Sequence, residues 1–171
     1  AVKMVGIRGI KNLLFSVGTI QILGCSSEEQ KILWEHSYKT AFYSYNLARN
    51  FLHNRIVTED AYVCGLLHDL GKIVFSIMHP EFLTKIQAFK IEHNIPDKVF
   101  DSLLSGINHP EIGAALAEKW NFPVSLVAAI RYHHCPERAP DEFMMLASTV
   151  CLADLMIHYA AGEVEFYQID E

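Results

Sequence analysis

Large apolar residues recur at three- and four-residue spacing along almost the whole chain. No segment alternates at the period of two that a half-buried strand requires. Ile7, Ile10, Leu14, Val17 and Ile20 predict an amphipathic helix over residues 6–24, with Gly24 as its C-cap. Ser26 or Ser27 then caps a second helix with Glu28 and Glu29 in its first turn, where carboxylates meet the positive end of the helix. This helix is expected to run to His53, with Ile32, Leu33, His36, Tyr43, Leu47 and Phe51 on its inner stripe. Thr58 is the expected cap of a third helix, which carries the apolar stretch GLLHDLGKIVF. Within that stretch Gly65 would admit a neighbouring helix, and Gly71 would permit a kink or an early end.

Pro80 suits the first turn of a fourth helix reaching His93, and Asn94 and Pro96 break it. A short helix is expected from Asp97 to Leu104. Pro110 then opens a helix with Ile112, Ala115, Leu116 and Trp120 inside, and Pro123 starts the next. That one buries Leu126, Val127 and Ile130 and ends on His133-His134. After the polar CPERAPDE, a last long helix over residues 141–161 turns Leu146, Val150, Ala153 or Asp154, and Ile157 inward. The expected fold is all-α: one bundle of seven or eight helices over residues 1–160, followed by a tail at 161–171.

Composition narrows the function. The net charge is −6 with no Lys/Arg run, which gives bulk nucleic acid or an anionic membrane little to hold. Although 51% of residues are hydrophobic, no uninterrupted apolar run approaches the ~18 residues of a transmembrane helix. The four cysteines form no C-x-x-C pair, so neither a zinc ribbon nor a disulfide framework is expected, and a reducing cytoplasm is favoured. Glycine-rich phosphate loops are absent. The opening AVKMVGIRGIKN has neither an initiator Met nor a signal-peptide layout and reads as the start of a fragment.

The chemistry lies in groups that ought not to be where the pattern puts them. His36, His68, Asp69 and Asp154 fall on buried stripes of different helices, and His109, His133 and His134 stand at helix ends. Burying such groups is costly unless they are paired or bound to something. A metal held by facing helices of a bundle would bind them all. Mixed imidazole and carboxylate donors suit one or two divalent ions of Mn, Fe, Zn, Co or Ni, and Asp69 has two oxygens with which to bridge. The alternative is a hydrogen-bonded polar core without metal, with Asp154 serving as a cap or as partner to Arg131 or Lys119. His53, His79, His93 and His158 lie near helix ends or on exposed faces, where a solvated imidazole is the default. Cys64, one turn from His68, is expected to be a small buried hydrophobe.

The ordered series His36, His68-Asp69-x-Gly71-Lys72, His109, His133-His134, Asp154 resembles the HD superfamily of metal-dependent phosphohydrolases. More narrowly, VKMVGIRGIKNLL, LWEHSYKTA, YVCGLLHDLGKIVF, NHPEIGAALAEKWNFP, AAIRYHH and VCLADLM resemble the HDOD domain, a bacterial signalling output module related to the HD-GYP phosphodiesterases. The resemblance implies a first ion on His36, His68, Asp69 and Asp154. Asp69 would bridge to a second on His109 and His133 or His134, and Lys72 would contact a substrate phosphate or pair with Asp69. It also implies further helices ahead of VKMVGIRGIKNLL. Two positions depart from the relatives: CPERAPDEFMML stands in place of the GYP signature, and Ile32 stands where some carry a glutamate for a third ion.

Two functions follow from the resemblance. One is a cytoplasmic output module that relays signals to other domains or proteins within a larger regulatory polypeptide. The other is a phosphohydrolase acting on a nucleotide or cyclic dinucleotide, with Asp69 and Lys72 in catalytic roles.

Overall fold

Ser27 and Gln30 cap each other reciprocally. Ser27 Oγ accepts the Gln30 N–H at 3.2 Å, and the Gln30 side chain accepts the Ser27 N–H at 3.3 Å. This starts α1, Glu28–Leu47. In this computed structural model the described residues are 14, 17–21, 23–24, 27–78, 85, 88–89, 92–93 and 108–162. A π-helical turn, Ala48–Leu52, extends α1 and stops at His53, whose φ is +50°. The next cap is Asn54, one turn ahead of the expected Thr58. Its carboxamide accepts the N–H groups of Ile56 and Val57, and the Thr58 hydroxyl donates back to the Asn54 carbonyl at 2.8 Å.

Helix α2, Arg55–Leu67, ends at the His68-Asp69 turn, and α3, Leu70–Met78, leaves from it. The remaining helices are α4, His109–Lys119, α5, Val124–Tyr132, and α6, Asp141–Ala160. A short 3-10 turn, Pro136–Arg138, precedes α6. The described residues before Gly24, and those at 85, 88–89 and 92–93, are also helical, and no described residue is in a strand. The molecule is all-α. The short helix expected at 97–104, the start at Pro80, His79 and the tail beyond Gly162 lie outside the described residues.

Helix α1 packs on α2 and α6, α4 packs on α3 and α5, and α2 touches both α5 and α6. Leu67, Leu70, Ile73, Leu126, Ile130 and Val150 fill the space between them. Close approach is set by glycine. A Cβ on Gly65 would lie 2.8 Å from Ala41 Cα and the Thr40 carbonyl, so α2 rests against the backbone of α1. At Gly71 a Cβ would collide with the His109 carbonyl, and at Gly113 it would lie 2.9 Å from the Gly71 nitrogen. This glycine pair seats the start of α4 directly over the start of α3.

Such contacts explain where the expected stripes fail. Ile32, Tyr43 and Phe51 are exposed; Leu33 is buried as expected, and Trp34, Ser37, Thr40, Ala41, Ser44 and Ala48 are buried with it. Only small side chains fit where two helix backbones nearly touch. On α4 the inner face is Pro110, Gly113, Ala114 and Ala117, while Ala115 is exposed and Ile112, Leu116 and Trp120 are half-buried. Leu14 and Val17 are also exposed; Ile20 packs on the core as expected, joined by Leu23. Gly24 does close that helix, with φ +67° and its N–H on the Ile20 carbonyl, and the Trp34 indole N–H fastens the Gly24 carbonyl to α1. Two stretches, Arg55–Met78 and Asp141–Ala160, are long and apolar enough to cross a membrane. The first is broken by the buried His68-Asp69 turn, the second carries buried Asp154, and both pack within the bundle.

Candidate metal centre

The candidate side chains arrive from five pieces of this framework. His36 lies midway along α1, His68 and Asp69 form the α2–α3 turn, and His109 opens α4. His133 and His134 close α5, and Asp154 sits in the middle of α6. Arg131 fixes the end of α5 by bonding Glu111 and Glu118 of α4, at 3.0 Å each. Arg131 is therefore engaged there and does not partner Asp154.

The side chains converge in two lobes that share Asp69. In the first lobe, His36 Nε2 lies 3.3 Å from His68 Nε2, 2.9 Å from Asp154 Oδ1 and 3.7 Å from Asp69 Oδ2. His68 Nε2 lies 3.4 Å from Asp69 Oδ2 and 3.7 Å from Asp154 Oδ1. In the second, His109 Nε2 stands 3.1 Å from Asp69 Oδ1, 3.3 Å from His133 Nε2 and 3.2 Å from His134 Nε2. His133 Nε2 is 3.7 Å from Asp69 Oδ1. Each carboxylate oxygen of Asp69 thus faces its own set of imidazoles. Lys72 Nζ pairs with Oδ2 at 3.1 Å and is part-exposed.

The ring orientations are set from behind. His68 Nδ1 lies 2.8 Å from the Gly65 carbonyl and His133 Nδ1 lies 2.7 Å from the Ile130 carbonyl. A carbonyl only accepts, so Nδ1 is the donor in both. The neutral ring then presents its Nε2 lone pair to the centre, the arrangement that commonly orients metal-binding histidines.

Burial and charge act differently on the two lobes. Burial opposes a charged His68, but Asp69 and Asp154 outweigh it and raise its pKa. Burial also works against both carboxylates. His68, Lys72 and His109 nevertheless hold Asp69 well below its ordinary range, and His158, His36 and His68 do the same for Asp154. In the second lobe burial and the neighbouring rings act together. His133 is pushed well below its usual value by burial, His134, His68 and His109, and His134 is lowered to about 4 by burial, His109 and Lys72.

The donor set fits a cation. Donor atoms around a tetrahedral ion with bonds of about 2.0–2.1 Å are separated by about 3.3 Å, and the spacings here run from 2.9 to 3.7 Å. Asp69 Oδ1 and Asp154 Oδ1 are buried without a well-directed hydrogen-bond donor, although imidazole nitrogens crowd them. A polar core closed by hydrogen bonds alone would not leave both inward oxygens in that state. His109, His133 and His134 form one group with metal-ligand spacing, His36, His68 and Asp69 another, and His36, Asp154 and His158 a third.

His158 is the residue that sequence reasoning missed. Its Nε2 lies 3.3 Å from Asp154 Oδ1, and its ring centroid is 5.1 Å from that of His36. The signal in the sequence is its place one helical turn after Asp154, masked by its position near the end of α6, where an imidazole is ordinarily solvated. His53 and His93 stay out of the centre, and Cys64 is buried as expected.

Comparison with known proteins places this geometry. A protein of Treponema pallidum (strain Nichols), named only as uncharacterized, is 43% identical over 169 residues, covering 99% of this chain and 33% of the relative. The chain therefore spans about a third of that protein's length. Among solved structures, an HDOD domain protein of unknown function from Geobacter sulfurreducens matches with a TM-score of 0.74 at 23% identity, over 92% of this chain and 53% of that one. A protein from Shewanella amazonensis SB2B, described as a candidate phosphohydrolase, matches with a TM-score of 0.73 at 22% identity, over 94% and 59%. The HDOD domain family matches residues 1–136, a span that holds every site residue up to His134 and stops short of α6. With its all-helical bundle and the ordered His and Asp residues of that span, the chain belongs to the HDOD domain family.

Proposed function

We propose that this domain is a signalling output module of a longer bacterial regulatory protein, working in the cytoplasm, whose structural pivot is a two-lobed site for divalent transition ions. The observation that carries the reading is the division of Asp69: Oδ1 faces His109 and His133, and Oδ2 faces His36 and His68. His36, His68, Asp69 and Asp154 would hold one ion, and Asp69, His109, His133 and His134 a second. Ions there would tie α1, the α2–α3 turn, α4, α5 and α6 to one point, so occupancy would govern how rigidly the helices stand together. Partners would be other signalling domains or proteins, and two observations support this choice over catalysis. The matched relative is about three times as long as this chain. In addition, the double histidine runs into a short 3-10 turn and α6 rather than a GYP segment.

Metal analysis of tag-free protein prepared without chelator tests the proposal. One to two equivalents of Mn, Fe, Co, Ni or Zn per chain are expected. Less than about 0.2 equivalents after reconstitution with each of these ions would overturn it.

A second reading is favoured by one specific contact. Lys72 pairs with Asp69 Oδ2 at 3.1 Å while remaining part-exposed, which places a positive charge beside the centre. In a phosphohydrolase, Lys72 would attract a phosphate as a point charge and Asp69 would hold both lobes in register. Bound divalent ions would supply an activated water and neutralise phosphoryl oxygens. Steady turnover of a nucleotide or cyclic dinucleotide by the metal-loaded domain, abolished in Asp69→Ala, would establish this reading. Absence of turnover across a panel of phosphodiesters and nucleotides leaves the module role in place.

A further inference from the structure

His158 falls outside the family's matched span and outside the set of seven, yet it points into the same space. Its contact is to Asp154 Oδ1, the carboxylate oxygen that also faces His36 at 2.9 Å and His68 at 3.7 Å. A residue that merely braced Asp154 from behind would bond the outer oxygen and leave the inner one to the centre. His158 instead approaches the inner oxygen at 3.3 Å, a spacing within the range of the donor pairs of the first lobe. It enters from the accessible side: His36 and His158 retain 17% and 14% side-chain exposure, while His68, Asp69 and Asp154 have 6% or less.

We infer that His158 is an additional donor to the first-lobe ion, closing its solvent-facing coordination position. The inference rests on the two-lobed metal site proposed above. It assigns the first lobe three imidazoles, His36, His68 and His158, with the carboxylates Asp69 and Asp154. Such a set favours borderline first-row ions such as Fe2+, Co2+, Ni2+ and Zn2+ over Mg2+, which prefers oxygen donors and retained water. It also gives the two lobes different characters. A position filled by a protein donor is unavailable to water or substrate, whereas catalytic sites keep one open. The first lobe is then the structural or sensing lobe, and any exchangeable ligand belongs to the second.

The test uses Co2+ as the probe, on the whole chain and on His158→Ala and His158→Gln. Thermal melts of the metal-free proteins confirm that both variants fold. Co2+ affinity is read by competition with a chromophoric chelator, and coordination by the d–d absorption of the bound ion. Loss of a donor predicts a first-lobe affinity weakened by more than the roughly 10–100-fold that loss of an outer-shell partner costs, together with a shifted and more intense d–d spectrum, in both variants. A positioning role through a hydrogen bond to Asp154 predicts something else: Gln restores the affinity and the spectrum keeps its wild-type shape. That result, or an unchanged Ala variant, overturns the inference and leaves the two-lobed site standing. If the unmodified chain itself takes up no Co2+, Zn2+, Fe2+, Mn2+ or Ni2+, the underlying site fails and this inference with it.

Discussion

The two lobes are built from the same ingredients and yet have opposite electrostatic character. Two carboxylates, Asp69 and Asp154, face the imidazoles of His36 and His68, and His68 accordingly has a raised pKa. On the other side two imidazoles, His109 and His133, face a single oxygen of Asp69 with His134 against His109, and His133 and His134 have lowered pKa values. The first lobe attracts positive charge of any kind. The second repels protons and presents neutral nitrogen donors, which makes it the more discriminating of the two. One residue, Asp69, decides both, because it is the only carboxylate the described residues place between them.

The strongest way to break the contrast is therefore Asp69→Ala. It removes the shared oxygens at once, and metal content should fall to near zero in both lobes, a larger loss than the roughly 10–100-fold that an outer-shell change costs. Asp154→Ala should empty only the first lobe and His134→Ala should weaken only the second. Stoichiometry by elemental analysis, with Co2+ spectra for each variant, checks this. If Asp69→Ala still retains one full equivalent, the two sets are independent and the bridging role is wrong.

A backbone change reaches the same contrast from outside the polar centre. Gly71 lies under the His109 carbonyl, and its would-be Cβ also meets the Gly113 nitrogen at 3.0 Å. Gly71→Ala must push α4 away from α3, taking His109 from Asp69 while leaving His36, His68 and Asp154 in place. The expected cost is about 3 kcal/mol of stability, because backbone rather than a flexible side chain has to give way. The second lobe should lose affinity more than the first. Denaturant melts with metal titration would show it; an unperturbed variant would mean that α4 is not held at this point.

These contacts also explain which parts of the molecule were legible in the sequence. The buried chemistry was visible because His68-Asp69, His133-His134 and Asp154 interrupt apolar runs, where a titratable group needs a reason. The helices were visible from periodicity and caps. Most of the inner face of α1 was not, because hydrophobic periodicity follows the large residues, and of these Leu33 is buried while Ile32, Tyr43 and Phe51 are exposed. The face that packs is Ser37, Thr40, Ala41 and Ser44, dictated by Gly65 on another helix, which is information that no local window contains. The N-cap of α2 was misplaced for a related reason. Thr58 and Asn54 are both competent caps, and the left-handed His53 that ends the π-helical turn selects Asn54. His158 was passed over because a histidine in a last helical turn is ordinarily solvated. Only the approach of α1 to α6 turns it into a neighbour of His36.

The smallest expected effect is on the pH dependence of the metal-free domain, and it sharpens the contrast most directly. His134 titrates at about 4 in the folded chain against 6.5 for an unconstrained imidazole, and His133 is lowered as well. Between those values the unfolded chain binds more protons than the folded one, so stability rises with pH. The contribution is fully present above 6.5 and is lost as pH falls from 6.5 toward 4. His68 has the opposite sign. Its raised pKa gives stability that is complete below 6.5 and disappears as pH climbs through the folded value. Asp69 and Asp154, both lowered, contribute above their usual range near 3.8 and fade only in stronger acid. The acid limb between pH 6.5 and 4 therefore belongs to the second lobe, with His134 supplying at most about 3 kcal/mol, or about 6–12 °C in Tm for a domain of this size. Melts in chelator at pH 7, 5.5 and 4.5 should show that decline, and His134→Gln should make it shallower, with His133 supplying what remains, while leaving the alkaline limb unchanged. Parallel acid limbs for the two proteins would show that the second lobe does not hold its imidazoles neutral, and the electrostatic difference between the lobes would collapse.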